Sequence, residues 1–233
     1  MGIFLQTNAS KIVLDMGSGV LGRIAEAGID WQEIDAVFIS HFHPDHCLDL
    51  FAYLFALRNP SYPRSRPLYL FGPKGLKSLV EDMNKIFSGW FSPRGYELVI
   101  DELFCSGSQS FSFQDLKVIS YPVNHSPESL AYRIEAEGKV IAYSGDTAPC
   151  KELIELAKGA DLAIFECSWA EEQKPAEHLT ARQAGEIAQM AGAKKLALVH
   201  FYPEALATDP QKEAEKEFKG EVIIASDLLR ISL

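Results

Sequence analysis

Short runs rich in Val, Ile, Leu and Ala, bounded by Gly, Asn or charged residues, recur along the chain and alternate with longer stretches of helical periodicity. This pattern predicts strands over residues 11–15, 36–40, 68–71, 116–121, 131–135, 140–144, 162–166, 195–200 and 222–225. It predicts helices over residues 47–57, 73–86, 148–157, 180–191 and 209–218. Residues 133–142 read as a hairpin, with Glu137-Gly138 at the turn and alternation on both arms. No repeat of fixed period is visible, and strands and helices are spread over both halves, as a two-sheet core with helices outside requires. The chemically suggestive residues fall just after apolar strands: His41 follows Val37-Phe38-Ile39-Ser40, Asp146 follows Ile141-Ala142-Tyr143, and His200 ends Leu196-Ala197-Leu198-Val199.

With 233 residues, 47% of them hydrophobic, the chain can bury a core without crosslinks, and no linker-like stretch interrupts it, so one domain over residues 1–233 is expected. Cys47, Cys105, Cys150 and Cys167 are far apart and show neither a Cys-x-x-Cys pair nor a disulfide framework, which points to a reducing compartment. The opening residues lack a basic region followed by a long apolar stretch, and no run is long enough to cross a bilayer; a cytoplasmic protein without a membrane partner is expected. The net charge of −10 disfavours loose attraction to long nucleic acids but leaves a small phosphorylated substrate open.

Of the six histidines, three lie in the run His41-Phe42-His43-Pro44-Asp45-His46. If this run forms an extended turn, His41 and His43 point the same way while Asp45 and His46 face a second position one step further on. Neutral imidazoles and a carboxylate suit zinc, and two ions roughly 3.5–4 Å apart can activate a water and clamp the oxygens of an in-line displacement. A bland alternative, a solvated His-rich loop, fits poorly directly after a buried strand. The aromatics Phe51, Tyr53, Phe55, Trp90 and Phe91 are read as packing rather than stacking platforms, and residues 212–219 as a solvated helix face. Phe71-Gly72-Pro73-Lys74-Gly75 lacks phosphate-loop spacing and is read as the turn from a strand into a helix.

The run His-x-His-x-Asp-His after a strand resembles the signature of the metallo-β-lactamase superfamily, and the resemblance extends over nearly the whole chain. Val13-Leu14-Asp15-Met16-Gly17-Ser18-Gly19 is similar to its first motif, in which the Asp orients the metal loop. The resemblance implies an α/β fold, a four-layer αββα sandwich, with two divalent ions, zinc or else manganese. His41, His43 and His125 are then ligands of one ion, Asp45, His46 and His200 of the other, and Asp146 bridges them. Ser144-Gly145-Asp146-Thr147, the stretch from Asn124-His125-Ser126 to Arg133, and Glu177-His178-Leu179-Thr180 resemble the ribonuclease Z branch, whose members hydrolyse phosphodiesters.

By that resemblance a hydroxide held between the ions attacks phosphorus, Asp45 takes the proton from the water, His178 serves the leaving oxygen, and Glu166 orients His178. Two departures from the pattern stand out. Transfer-RNA-processing members carry a long arm between the third-motif histidine and the bridging aspartate, whereas His125 and Asp146 are 21 positions apart. That interval argues against transfer RNA and for a small phosphodiester or nucleotide-like substrate. The chain also reaches Asp15 almost at once, which suggests a missing N-terminal edge strand and allows a homodimer to cover the exposed edge. Rival readings are a lactone or thioester hydrolase on the same ligands and a non-catalytic metal-binding member of the fold.

Overall fold

A computed structural model describes residues 1–61, 63–171 and 176–233. The chain falls into two compact units, Met1–Phe104 and Cys105–Leu233, although the sequence, read as one domain, marks no linker there.

In the first unit the described residues form β1 (Ile3–Gln6), β2 (Lys11–Leu14), α1 (Val20–Glu26), β3 (Ala36–Phe38), α2 (Pro44–Ala56), β4 (Leu68–Pro73), α3 (Leu76–Ile86) and β5 (Leu98–Leu103). Their sheet has the order β1-β2-β3-β4-β5, with β1 antiparallel to β2 and the remaining pairs parallel. The sequence reading left residues 3–6 without an element; they form β1, so an edge strand is present ahead of β2. It also missed β5, which is an edge strand with the exposed residues Asp101 and Glu102 and too little apolar alternation to be recognised.

Two helix starts differ from expectation for local reasons. Helix α3 begins at Leu76 rather than Pro73: β4 continues through Pro73 because it pairs with β5, and Glu102 Oε1 accepts the Gly75 and Lys77 N–H groups at 2.8 and 3.0 Å, capping the helix from outside. Helix α2 begins at Pro44 rather than residue 47, with the proline in the first turn, where its missing N–H costs nothing. Asp45 and His46 therefore lie in a helical first turn and not on an extended turn. The buried face of α2, Cys47, Leu50, Phe51 and Leu54, follows helical spacing and joins Val13, Val37, Ile39, Leu68 and Leu70 in the core of this unit. Phe51 and Tyr53 are core residues, whereas Phe55 and Trp90 are about half exposed and pack against each other at 5.9 Å.

In the second unit the described residues form β6 (Gln109–Phe113), β7 (Leu116–Pro122), β8 (Leu130–Ala136), β9 (Lys139–Tyr143), α4 (Lys151–Leu156), β10 (Leu162–Glu166), α5 (Ala181–Ala191), β11 (Lys195–Val199), α6 (Pro203–Leu206), α7 (Pro210–Glu215) and β12 (Glu221–Ile224). The sheet runs β12-β11-β10-β9-β8-β7-β6, antiparallel from β6 to β9 and parallel from β9 to β12. The β8–β9 hairpin turns on Glu137 and Gly138 with φ of +53° and +72°, the left-handed pair that a tight hairpin turn needs. Helix α5 opens with a capping box between Thr180 and Gln183 and ends at Gly192 with φ +66°. Its buried Ala184, Ile187, Ala188 and Ala191 lie in one core with Ala163, Phe165, Leu196 and Leu198. Gly185 lets α7 come close, since a Cβ there would lie 2.5 Å from the Ala214 carbonyl oxygen.

Asp161 ties together the entries of three parallel strands. Its Oδ2 accepts the Val140 N–H at 2.9 Å and its Oδ1 accepts Lys194 Nζ at 2.8 Å, while its own N–H donates to Val140 O at 2.8 Å. The Lys194 hydrogen bond, helped by Val140 and opposed by burial, holds the Asp161 carboxyl below the usual carboxylate range. A lowered carboxyl stabilises the fold above its unfolded value of about 4, and that contribution is lost as pH falls through the folded value. Asp161→Ala is expected to cost about 1–3 kcal/mol at neutral pH, through the Val140 N–H left without its acceptor. Urea titrations of both proteins should show the gap narrowing below about pH 4.

Candidate metal centre

Asp15 and His41 in the first unit, and Asp146, Glu166 and His200 in the second, sit at the carboxyl ends of parallel strands, where open α/β sheets place their ligands, whereas His125 follows the antiparallel strand β7 and His178 precedes α5. In the first unit the anchor is Asp15, which directly follows β2, is wholly buried and has φ +58°. Its Oδ1 accepts the Ser40 N–H at 2.6 Å, and its Oδ2 accepts the Ser40 hydroxyl and His46 Nδ1–H, each at 2.7 Å. With Nδ1 donating, His46 carries its lone pair on Nε2, 3.6 Å from Asp45 Oδ2. His41 lies with its ring centroid 4.6 Å from that of His43 and 4.2 Å from that of His46. The loop after β2 and the start of α1 also grip the first turns of α2: Met16 N–H donates to His46 O at 2.7 Å, and Leu21 N–H to Asp49 Oδ2 at 3.0 Å.

In the second unit the anchor is Glu166, the last residue of β10 and also wholly buried. Its Oε1 accepts the Thr147 N–H at 2.7 Å and His178 Nδ1–H at 2.9 Å. The Asp146 loop is joined to the His125 loop by Asn124 N–H to Thr147 Oγ1 at 3.1 Å and Ala148 N–H to Asn124 O at 2.8 Å. His125 Nδ1–H donates to the Glu177 carbonyl at 3.1 Å, which leaves Nε2 as the lone-pair nitrogen. Asp146 Oδ2 lies 4.0 Å from His125 Nε2 and 3.6 Å from His200 Nε2. His200 closes β11 with φ +57°, the same left-handed conformation as Asp15. The His178 ring lies 4.9 Å from His125 and 6.2 Å from His200, and a cleft of about 520 Å³ beside His125 is bordered by Asn124, Ser126 and Glu177.

These donor sets fit divalent ions. Two atoms each about 2.1 Å from one ion lie roughly 3–4 Å apart, the range of the Asp45–His46, Asp146–His125 and Asp146–His200 separations. Those separations are also longer than hydrogen bonds, so each carboxylate oxygen stands toward a lone-pair nitrogen at the spacing of co-ligands. Asp146 faces two imidazoles with one oxygen, which suits a shared ligand. Neighbouring thiols do not compete: burial, then the charges of Asp15 and Asp45, pushes Cys47 up to about 12, and burial, then Glu166, pushes Cys167 up to about 12.

Burial works against a charged His178, but the Glu166 hydrogen bond and the negative charges of Glu166, Asp146 and Glu177 outweigh it, so its pKa lies above the ordinary histidine value. The structure thus gathers His41, His43, Asp45 and His46 near Asp15 in one unit, and His125, Asp146, His178 and His200 near Glu166 in the other. Sequence reasoning quoted Ser40, Thr147 and Gly17 only as parts of motifs and gave them no role of their own, and it missed Ser168. The adjacency of Ser40 to His41 was the available signal.

Residues 11–201 match the β-lactamase superfamily domain, and the chain belongs to that family. The chain is 36% identical over 221 residues to the uncharacterized protein Rv1339 of Mycobacterium tuberculosis, covering 91% of this chain and 77% of the relative. It is 27% identical over 282 aligned positions to ribonuclease Z of Pyrococcus horikoshii, covering 99% and 89%. Among solved structures, the metallo-β-lactamase fold protein YhfI of Bacillus subtilis superposes with a TM-score of 0.83 at 25% identity, covering 97% of this chain and 88% of that one. The α/β metallo-β-lactamase fold expected from the motifs is therefore the fold of this chain, and its family is one of hydrolases whose fold implies divalent metal ions.

Gly17 makes the grip on the first half-set possible. A Cβ at this position would stand 1.6 Å from the Asp45 carbonyl oxygen and 2.3 Å from its carbon. Gly17→Ala must push the first turn of α2 away, displacing Asp45 and His46. The expected outcome is a loss of about 1–3 kcal/mol in stability together with lower metal content, read by thermal melting and by elemental analysis of protein loaded with zinc.

Proposed function

We propose that this chain is a dinuclear metal-dependent phosphodiesterase acting on small phosphodiester or nucleotide-like substrates. In this reading His41, His43 and His125 serve one ion, Asp45, His46 and His200 the other, and Asp146 bridges them. Family membership supports joining the two half-sets, and zinc is favoured over manganese because imidazole predominates among the donors. When bound, the ions supply water activation and neutralise charge on the phosphoryl oxygens.

The observation that carries the reaction type is His178, held by Glu166 beside His125 and His200 with its affinity for a proton raised. An alkoxide leaving from phosphorus or from a lactone is a strong base and needs a proton, whereas a thiolate leaving from a thioester does not; between the two alkoxide cases the likeness to ribonuclease Z favours the phosphodiester. Because Nδ1–H stays on Glu166, the proton delivered to the leaving oxygen comes from Nε2 of the imidazolium. Asp45, with half its side chain exposed, takes the proton of the attacking water as the phosphorus–oxygen bond to the leaving group breaks. Glu166 keeps the His178 ring aimed and stabilises its charged form.

The small-substrate reading rests on the hairpin between His125 and Asp146: β8 and β9 and their two-residue turn fill the interval in which transfer-RNA-processing relatives of the resemblance carry an arm. The acidic balance of the chain points the same way. A cytoplasmic location is part of the proposal, carried by the cysteine usage; no helix among the described residues is long and apolar enough to cross a membrane. A homodimer now rests on the resemblance alone, since β1 occupies the edge expected to be open.

The test is hydrolysis of a dinucleotide phosphodiester, whose leaving group is an alkoxide, with lactone and thioester substrates alongside. Asp45→Ala should lose turnover by orders of magnitude. His178→Ala should keep its metal and slow phosphodiester turnover by about 10²–10⁴-fold. Wild-type activity should fall on the alkaline side as the imidazolium is lost, and His178→Ala should lack that limb. Turnover of only the lactone or thioester, or undiminished phosphodiester turnover in His178→Ala, would overturn the assignment.

A further inference from the structure

The buried carboxylate of Glu166 has a second client besides His178. Its Oε2 accepts the Ser168 hydroxyl at 2.5 Å and the Ser168 N–H at 3.3 Å. Ser168 is itself wholly buried, and its Oγ lies 2.8 Å from His200 Nδ1. A hydroxyl has a single proton, and here it is committed to a carboxylate, which can only accept. Ser168 Oγ must therefore accept from His200 Nδ1–H. That fixes the His200 tautomer with its lone pair on Nε2, the atom 3.6 Å from Asp146 Oδ2.

We infer that Ser168 is a positioning residue for His200, through which Glu166 orients that imidazole as well as His178. The inference rests on the reading of His200 as a metal ligand. The first unit contains the same device: Ser40 Oγ donates to Asp15 Oδ2 at 2.7 Å and lies 3.0 Å from His41 Nδ1, which by the same count must donate. His46 differs, since it touches the Asp15 carboxylate directly. A neutral hydroxyl between carboxylate and imidazole passes on orientation without placing a full negative charge on the ring, so it raises ligand basicity less than direct contact does. In the second unit it also lets one carboxylate hold two imidazoles with different tasks, His178 directly and His200 at one remove.

The experiment compares wild type with Ser168→Ala and Glu166→Gln by two readouts. The first is nitrogen-resolved NMR of the imidazoles in metal-free protein, which reports tautomer and Nδ1–H protection. The second is zinc affinity and stoichiometry by competition with a chromogenic chelator. In Ser168→Ala, His200 should lose its single tautomer and protected Nδ1–H while His178 keeps its own, and one of two zinc ions should bind about 10- to 100-fold more weakly. Glu166→Gln should disturb both histidines. Wild-type His200 signals and unchanged affinity for both ions in Ser168→Ala would overturn the proposal, as would equal disturbance of His178 and His200, the sign of a general packing role. Wild-type protein that binds no zinc would sink the two-metal reading, while the NMR comparison would still decide whether Ser168 holds His200.

Discussion

Everything chemical in this protein depends on two carboxylates taken out of water at the ends of parallel strands. Asp15 and Glu166 are both fully buried. An isolated carboxylate in such a place is so costly that it normally takes up a proton. Each is instead surrounded by donors: a backbone N–H and a serine hydroxyl in both cases, with His46 added at Asp15, and His178 and the Thr147 N–H added at Glu166. The donors make burial tolerable and the carboxylates fix the donors, so ligand geometry and local stability are one property. Loosening either would loosen both.

Much of the site was legible because ligand chemistry is written in residue types. The cluster at His41 to His46, the strand ends before Asp146 and His200, and the helix-entry position of His178 ahead of the Thr180 cap could all be read from order and spacing. Asp45 and His46 shifted from an expected extended turn to the first turn of α2, because Pro44 favours the start of a helix as readily as a loop. The strands that escaped notice, β1, β5 and β6, are short edge strands or have mixed faces, so they lack the apolar alternation that marks a half-buried strand. Glu102 capping α3 and Ser168 receiving His200 were invisible for another reason. Their partners are 25 and 27 residues away for Glu102 and 32 for Ser168, and no local pattern encodes a meeting at that range.

Two left-handed residues show how backbone geometry is spent on function. Asp15 and His200 adopt φ near +57°, a conformation that costs most side chains something of the order of 1 kcal/mol. Both stand at the first position after a parallel strand, where the chain must leave the sheet abruptly. A β-branched residue at either point would resist the turn more strongly than Asp or His does, which is a constraint separate from metal binding.

The β8–β9 hairpin carries an implication for how such a scaffold diversifies. Its turn, Glu137-Gly138, is exposed, while the strands on either side are held by the ladders to β7 and β10. The entropic cost of lengthening a surface loop rises only slowly with its length. The tip of this hairpin is therefore a graft point at the end of the ladder away from Asp146 and His125: residues inserted there would enlarge a remote surface of the protein and leave the framework where it is.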